Sequence, residues 1–305
     1  MIRSDVMQCF RDGDVFYRCW LPNHARAVLI FLHGAGEHSG HYTDLAPVCR
    51  QHGLVYVTPD LRGFGQSGGQ RGHIRQFDDY LHDLHLLVRR IQRWFPELPL
   101  FLAGHSLGAL IVIRYIQQFD DPVRGSIVSA PAFGLPFRFS SLLHKLVHVT
   151  SLFKPTLTVN AAWLAKHLRL PWLRAAFPDP DGVLRDPFCT YHYTTGWLKE
   201  MLHNGAEALA HALQVAIPTL CIYFERDPIV NVAFIRQFFD TIRSDQKACI
   251  VLPDCGHNLW CHPEKPHMIQ QMMHWIDTLI PDSNDETLRP VAMPSHPTSD
   301  QLLTP

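Results

Sequence analysis

Gly104-His105-Ser106-Leu107-Gly108 lies between the apolar run Leu98-Pro99-Leu100-Phe101-Leu102-Ala103 and Ala109-Leu110-Ile111-Val112-Ile113-Arg114-Tyr115. The first run reads as a short buried strand and the second as a helix, which puts the pentapeptide on the turn between them. G-x-S-x-G is a nucleophile elbow only in that strand-to-helix setting. A serine there is forced into a strained backbone conformation, and glycines flank it because a Cβ would strike the neighbouring strand or helix. The helix N-terminus behind it favours negative charge in front. The plain alternative is a Gly-rich turn that happens to hold a serine, and the rest of the chain speaks against it.

A serine nucleophile needs a base to take its proton and an acid to hold that base in the right tautomer. After a nucleophile elbow these partners follow in the order Ser, Asp or Glu, His. Ile217–Phe224 is another strand-like run and ends at Glu225-Arg226-Asp227. Ala248–Leu252 is a further one, followed by Pro253-Asp254-Cys255-Gly256-His257. Asp227 and His257 thus fall just past the C-terminal ends of strands, where parallel α/β sheets place their chemistry. Glu225 and Asp254 remain rivals for the acid. The oxyanion hole needs two backbone N–H donors. One is expected from Leu107, directly after the serine. The other is expected from Ala35, in the loop His33-Gly34-Ala35-Gly36-Glu37 that follows the strand Ala27–Leu32.

The chain resembles the α/β-hydrolases of the monoacylglycerol lipase and bacterial lysophospholipase group, which are serine aminopeptidase S33-like. The resemblance rests on His33–Tyr42, on Asp60-Leu61-Arg62-Gly63-Phe64-Gly65-Gln66-Ser67 with its continuation to His73, and on Ala103–Gly108. Ser129-Ala130-Pro131, Asp186-Pro187 and the loops of Asp227 and His257 complete it, so that it runs from about residue 12 to about 280. Two positions depart from the group. Phe224 stands where a glycine is usual, and Asn258 follows the histidine where an acid is frequent. The resemblance implies an α/β-hydrolase fold and an ester-cleaving serine enzyme that needs no cofactor.

Composition agrees with a single enzyme domain. The chain has 305 residues, 47% of them hydrophobic, with 27 basic against 28 acidic residues, which argues against a nucleic-acid partner. No signal peptide or membrane-spanning run is visible, and the eight scattered cysteines read as free thiols of a reducing, cytoplasmic compartment. Cys255, His257, Cys261 and His262 match no familiar zinc spacing, so no metal is expected. His144 and His148 lack the glutamate of a zincin and read as a helix face.

Strands and helices alternate from about residue 15 to 130 and again after about 215, as in a mostly parallel, doubly wound α/β sheet. The expected division is a core of 1–130 and 215–280, an inserted helical cap of 131–214, and a mobile Pro-rich tail of 281–305. Between Ala132 and Pro178 there is no Asp or Glu, but there are six cations: Arg138, Lys145, Lys154, Lys166, Arg169 and Arg174. Apolar and aromatic residues run between them. That composition suits a cap resting peripherally on an anionic membrane. It equally suits a cap whose basic face is solvated.

The residues therefore lead to the expectation of a serine hydrolase of lipid monoesters, monoacylglycerols or lysophospholipids, with Ser106, His257 and Asp227 as triad. A carboxylesterase or aminopeptidase on small soluble substrates is the enzymatic alternative. A peptidase would need cap acids for the substrate ammonium, and the stretch just described has none. A ligand-binding protein on the same fold is the non-enzymatic one, although such proteins often lose a triad member.

Overall fold

Ala27–Leu32 (β3) is apolar at every position because both of its faces are covered. Ala27, Leu29 and Phe31 join one buried cluster, whereas Val28, Ile30 and Leu32 join another on the opposite side. The computed structural model describes residues 8–135, 140–167 and 186–280. Within them an eight-stranded sheet runs in the order β1-β2-β4-β3-β5-β6-β9-β10. Its strands are Gln8–Asp12 (β1), Val15–Trp20 (β2), β3, Leu54–Pro59 (β4), Leu100–His105 (β5), Val123–Ser129 (β6), Thr219–Arg226 (β9) and Lys247–Cys255 (β10). A separate antiparallel pair joins Thr158–Asn160 (β7) to His192–Thr194 (β8). In the large sheet β1 and β2 pair antiparallel, and all pairings from β4 to β10 are parallel.

Helices wind over both faces. Leu45–Gln51 (α1) and the helix Lys265–Leu279 supply residues to the cluster holding Phe31. Asp78–Trp94 (α2) and Leu107–Gln118 (α3) cover the other face. Helix α2 buries Tyr80, Leu81, Leu84, Leu87, Val88 and Ile91, the spacing of one helical stripe, and opens with Asp78 and Asp79 against its positive end. Among the described residues no helix is long and apolar enough to cross a membrane.

Between β6 and β9 the chain leaves the sheet. Ser140–Phe153 (α4), Ala161–His167 (α5) and Thr195–Ala210 (α6) lie in this stretch. Helix α6 docks on the core: Trp197 Nε1–H donates to Tyr80 Oη at 3.1 Å, and Arg114 Nε–H donates to Asn204 Oδ1 at 3.3 Å. Val232–Thr241 (α7) follows β9, and Lys265–Leu279 is α8. Of the six cations between Ala132 and Pro178, Arg138, Arg169 and Arg174 fall outside the described residues, as does 281–305, and the Lys166 side chain is not described.

Neighbouring strands β3 and β5 send the chain in opposite directions, β3 to β4 and β5 to β6. Their C-terminal ends therefore open a crevice, the usual ligand position of such sheets. The loop after β3 and the turn after β5 meet there.

Candidate active site

The turn after β5 is shaped by what cannot fit. A Cβ on Gly104 would lie 2.3 Å from the Gly108 carbonyl carbon, and one on Gly108 would lie 2.2 Å from the Leu32 oxygen. Both glycines are therefore needed for β5, α3 and β3 to come together. Ser106 between them holds φ at 52°, a strained region for a non-glycine residue that costs about 1–3 kcal/mol. Its N–H is tied to the Ser129 carbonyl at 2.8 Å. Leu107 opens α3, so its N–H has no partner within the helix.

Two side chains from separate loops, those of His257 and Asp227, line up with this serine. His257 Nε2 lies 3.1 Å from Ser106 Oγ, and His257 Nδ1 lies 2.7 Å from Asp227 Oδ2. A carboxylate only accepts, so Nδ1 carries the proton and Nε2 presents its lone pair to the hydroxyl. The Asp227 side chain is fully buried, and its other oxygen accepts the N–H groups of Ile229 at 2.7 Å and Val230 at 3.0 Å. The rival acids lie elsewhere: Glu225 is exposed beside Arg236, and Asp254 is exposed beside His262. Phe224, the first departure from the family pattern, is buried with its ring 3.0 Å from where a Gly256 Cβ would stand. The bare Gly256 gives that ring its room, directly ahead of His257.

The loop after β3 passes over the serine. A Cβ on Gly34 would be 3.5 Å from Ser106 Cβ, and Ala35 is the next residue. Buried His33 anchors this loop: its Nδ1–H donates to the Gly34 carbonyl at 2.7 Å, and its Nε2 accepts from Leu61 N–H at 2.9 Å. Burial pushes its pKa down, which keeps that tautomer neutral. Leu61 belongs to the Asp60–Ser67 motif. Buried Asp60 accepts from the N–H groups of Ser39 and Gln66, both at 2.7 Å, and thereby ties the motif to the end of the same loop. Gly65 must lack a side chain, because a Cβ would fall 2.2 Å from Asp60 Oδ2.

Three residues beside Ser106 and His257 had no role in the sequence reading. Glu37 accepts from Gly34 N–H at 3.2 Å and from the Tyr42 hydroxyl, while its Oε1 accepts from Asn258 Nδ2 at 2.7 Å. Burial would raise its pKa, but His105, the Tyr42 hydroxyl and nearby histidines outweigh that and hold the carboxyl below its usual value. Asn258, the second departure, thus links the His257 loop to the Ala35 loop where an acid would face Glu37. His105 packs its ring 5.0 Å from that of His257, and burial with that neighbour lowers its pKa to about 4. It stays neutral behind the serine. The only available signal was Glu37 itself, inside the quoted His33–Glu37 loop; its partner lies 221 residues away.

Comparison with known proteins agrees with this architecture. The family described as Hydrolase_4, serine aminopeptidase S33, matches residues 23–264. A monoglyceride lipase of Rattus norvegicus is 36% identical over 276 residues, covering 88% of each chain. A monoacylglycerol lipase of Mycolicibacterium smegmatis is 27% identical over 277 residues, covering 86% of this chain and 92% of that one. The crystal structure of Paleococcus ferrophilus monoacylglycerol lipase superposes with a TM-score of 0.73 over 90% of this chain and 100% of its own, at 22% identity, a likeness of fold. The chain belongs to the serine aminopeptidase S33 family of α/β-hydrolases and is a carboxylic ester hydrolase of the monoacylglycerol lipase type.

Proposed function

We propose that this chain hydrolyses lipid monoesters, monoacylglycerols or lysophospholipids, through a Ser106–His257–Asp227 triad and an acyl-enzyme. The carrying observation is His257 bridging Asp227 at 2.7 Å and Ser106 at 3.1 Å in the crevice beside the Gly34 loop. In this reading Ser106 Oγ attacks the ester carbonyl as His257 Nε2 takes its proton. The Ala35 and Leu107 N–H groups hold the oxyanion. Collapse passes the proton from His257 to the departing alcohol and leaves the acyl group on Ser106. Water then loses a proton to His257 as it attacks the acyl carbon, and His257 passes that proton to Ser106 Oγ as the Oγ–acyl bond breaks and the acid leaves. Asp227 keeps the imidazole in one tautomer throughout and stabilises its charged form.

Residues 131–214 act as a cap over this crevice, and the cap rests on an anionic membrane surface. Support comes from α4, where Leu146, Val149, Leu152 and Phe153 are exposed on one side of the helix, flanked by exposed Lys145 and Lys154. A solvated basic face would not carry that apolar stripe. The test is a substrate panel of monoacylglycerols, lysophospholipids, short nitrophenyl esters and aminoacyl amides, each with wild type and Ser106→Ala. The reading expects long-chain monoesters to be preferred and Ser106→Ala to lose activity on all of them. Preference for aminoacyl amides or for short esters overturns it.

A further inference from the structure

The loop after β3 and the segment ahead of β8 meet at a side-chain cluster that ester hydrolysis does not use. His38 and His41 come from the loop, and Asp186 and Cys189 come from the segment. Their ligand atoms all lie within 4.8 Å of one another, the one such group of three or more His, Cys, Asp or Glu among the described residues. His41 Nε2 is 3.2 Å from Asp186 Oδ2 and 3.9 Å from Cys189 Sγ. Ligands around a tetrahedral zinc, with bonds near 2.0–2.3 Å, stand about 3.3–3.7 Å apart. The spacing found is close to that without any movement of the backbone.

His38 plays a different part from His41. Its Nδ1 accepts from Gly40 N–H at 3.1 Å, so its Nε2 carries the ring proton and donates to Asp186 Oδ2 at 3.0 Å. That is how an outer partner orients a ligating carboxylate. Oδ2 keeps a second lone pair, and Asp186 Oδ1 is occupied by Phe188 N–H at 2.9 Å. The inner set is then one imidazole, one carboxylate and one thiol.

We infer that His41, Asp186 and Cys189 form a binding site for a zinc-class divalent cation, with His38 holding the carboxylate and the fourth position left to solvent. Imidazole with thiolate selects zinc-like ions over calcium and magnesium, which take oxygen ligands. On binding, the Cys189 thiol proton passes to solvent and the neutral His41 ring supplies the Nε2 lone pair. An ion can reach the site, since the His41 and Asp186 side chains are 40% and 31% exposed. Thr190, the next residue after Cys189, donates its N–H to the Gly36 carbonyl at 2.9 Å. A bound ion therefore reinforces the junction between this segment and the loop that carries Ala35.

The full chain, stripped of metal, is titrated with Zn2+ and with Co2+ as the spectroscopic probe. One equivalent should bind, and the Co2+ form should show a thiolate charge-transfer band in the near ultraviolet. X-ray absorption of the Zn2+ form should give one sulfur at about 2.3 Å beside nitrogen and oxygen at about 2.0–2.1 Å. Cys189→Ser should remove the band and the sulfur, and His41→Gln should weaken binding further than the 10–100-fold expected for His38→Ala. Cys189 and His41 are not core residues, and circular dichroism checks that both variants fold. The inference is overturned if no equivalent binds, if the shell holds no sulfur, or if both inner-ligand variants bind like wild type. The last result would put the ion among others of the twenty histidines.

Discussion

Around Ser106 the polar side chains are satisfied from within the chain, whereas on α4 Leu146, Val149, Leu152 and Phe153 face out. Asp227, His257, Glu37 and Asn258 each have partners in the same crevice. Phe153, by contrast, is 82% exposed and Leu152 64%. The first region is defined by internal contacts that fix one geometry, as a preorganised site requires. The second presents exposed apolar side chains, which the proposed function assigns to an interface. Substitutions in the first should therefore act on chemistry in any medium, and those in the second only when an interface is present.

The largest separation is expected among the acids. Asp227→Asn should lower kcat by about 10⁴, because an amide favours the wrong imidazole tautomer. Glu225→Gln and Asp254→Asn should each cost less than about tenfold on the same soluble ester. A crippling Glu225→Gln would move the acid to the outer part of the loop and break the internal side of the comparison.

On α4, replacing Leu152 and Phe153 together by serine should weaken vesicle binding about 100-fold, from roughly 3 kcal/mol of lost apolar burial. Lys145→Gln with Lys154→Gln should remove the preference for anionic over neutral vesicles, at about 1 kcal/mol per charge. Vesicle flotation reads both. Turnover of a short soluble ester should stay at the wild-type rate in all four substitutions. Unchanged flotation would make α4 an outer surface with no membrane partner.

His105 gives the crevice a pH signature. Its pKa falls from 6.5 to about 4 on folding, so between those values only the unfolded chain takes up the proton. Stability attributable to this group is complete above pH 6.5 and drops as pH falls towards 4. Urea unfolding at pH 7 and pH 4.5 should show wild type losing about 2–3 kcal/mol more than His105→Gln. Equal losses would mean that the ring is not held neutral behind Ser106.

The smallest effect tests the link between loops. Asn258→Ala removes the donor to Glu37 and should lower kcat about tenfold with KM unchanged, by loosening His257 against the Ala35 loop. A wild-type kcat would confine the Glu37–Asn258 bond to stability.

The serine turn was legible because its constraint is local: five consecutive residues between an apolar strand and an apolar helix. Strand ends were less so. The run 217–224 is a strand at Thr219–Arg226, since parallel pairing of Arg226 with Cys255 carries the backbone beyond the apolar residues. Likewise Gly104 and His105 pair with Val128 and Ser129, while Leu98 bonds back to Phe95 in a turn. The sequence favours Asp227 but leaves Glu225 as a rival two residues away; Glu225 proves to lie within β9, and only Asp227, just past its end, reaches His257. Asn258 read as a departure, and its meaning appears only with Glu37 across the crevice. The cluster of His41 with Asp186 and Cys189 was out of reach for the same reason, two short pairs separated by most of the core.

Trapping the intermediate tests the central claim most directly. Wild type would be mixed rapidly with excess nitrophenyl decanoate, quenched in acid and digested, and the peptides read by mass spectrometry. A decanoyl group on Ser106, absent after Ser106→Ala, is the expected result. A burst of nitrophenol with no acyl group on that peptide, or acylation of another residue that persists in Ser106→Ala, would contradict the account.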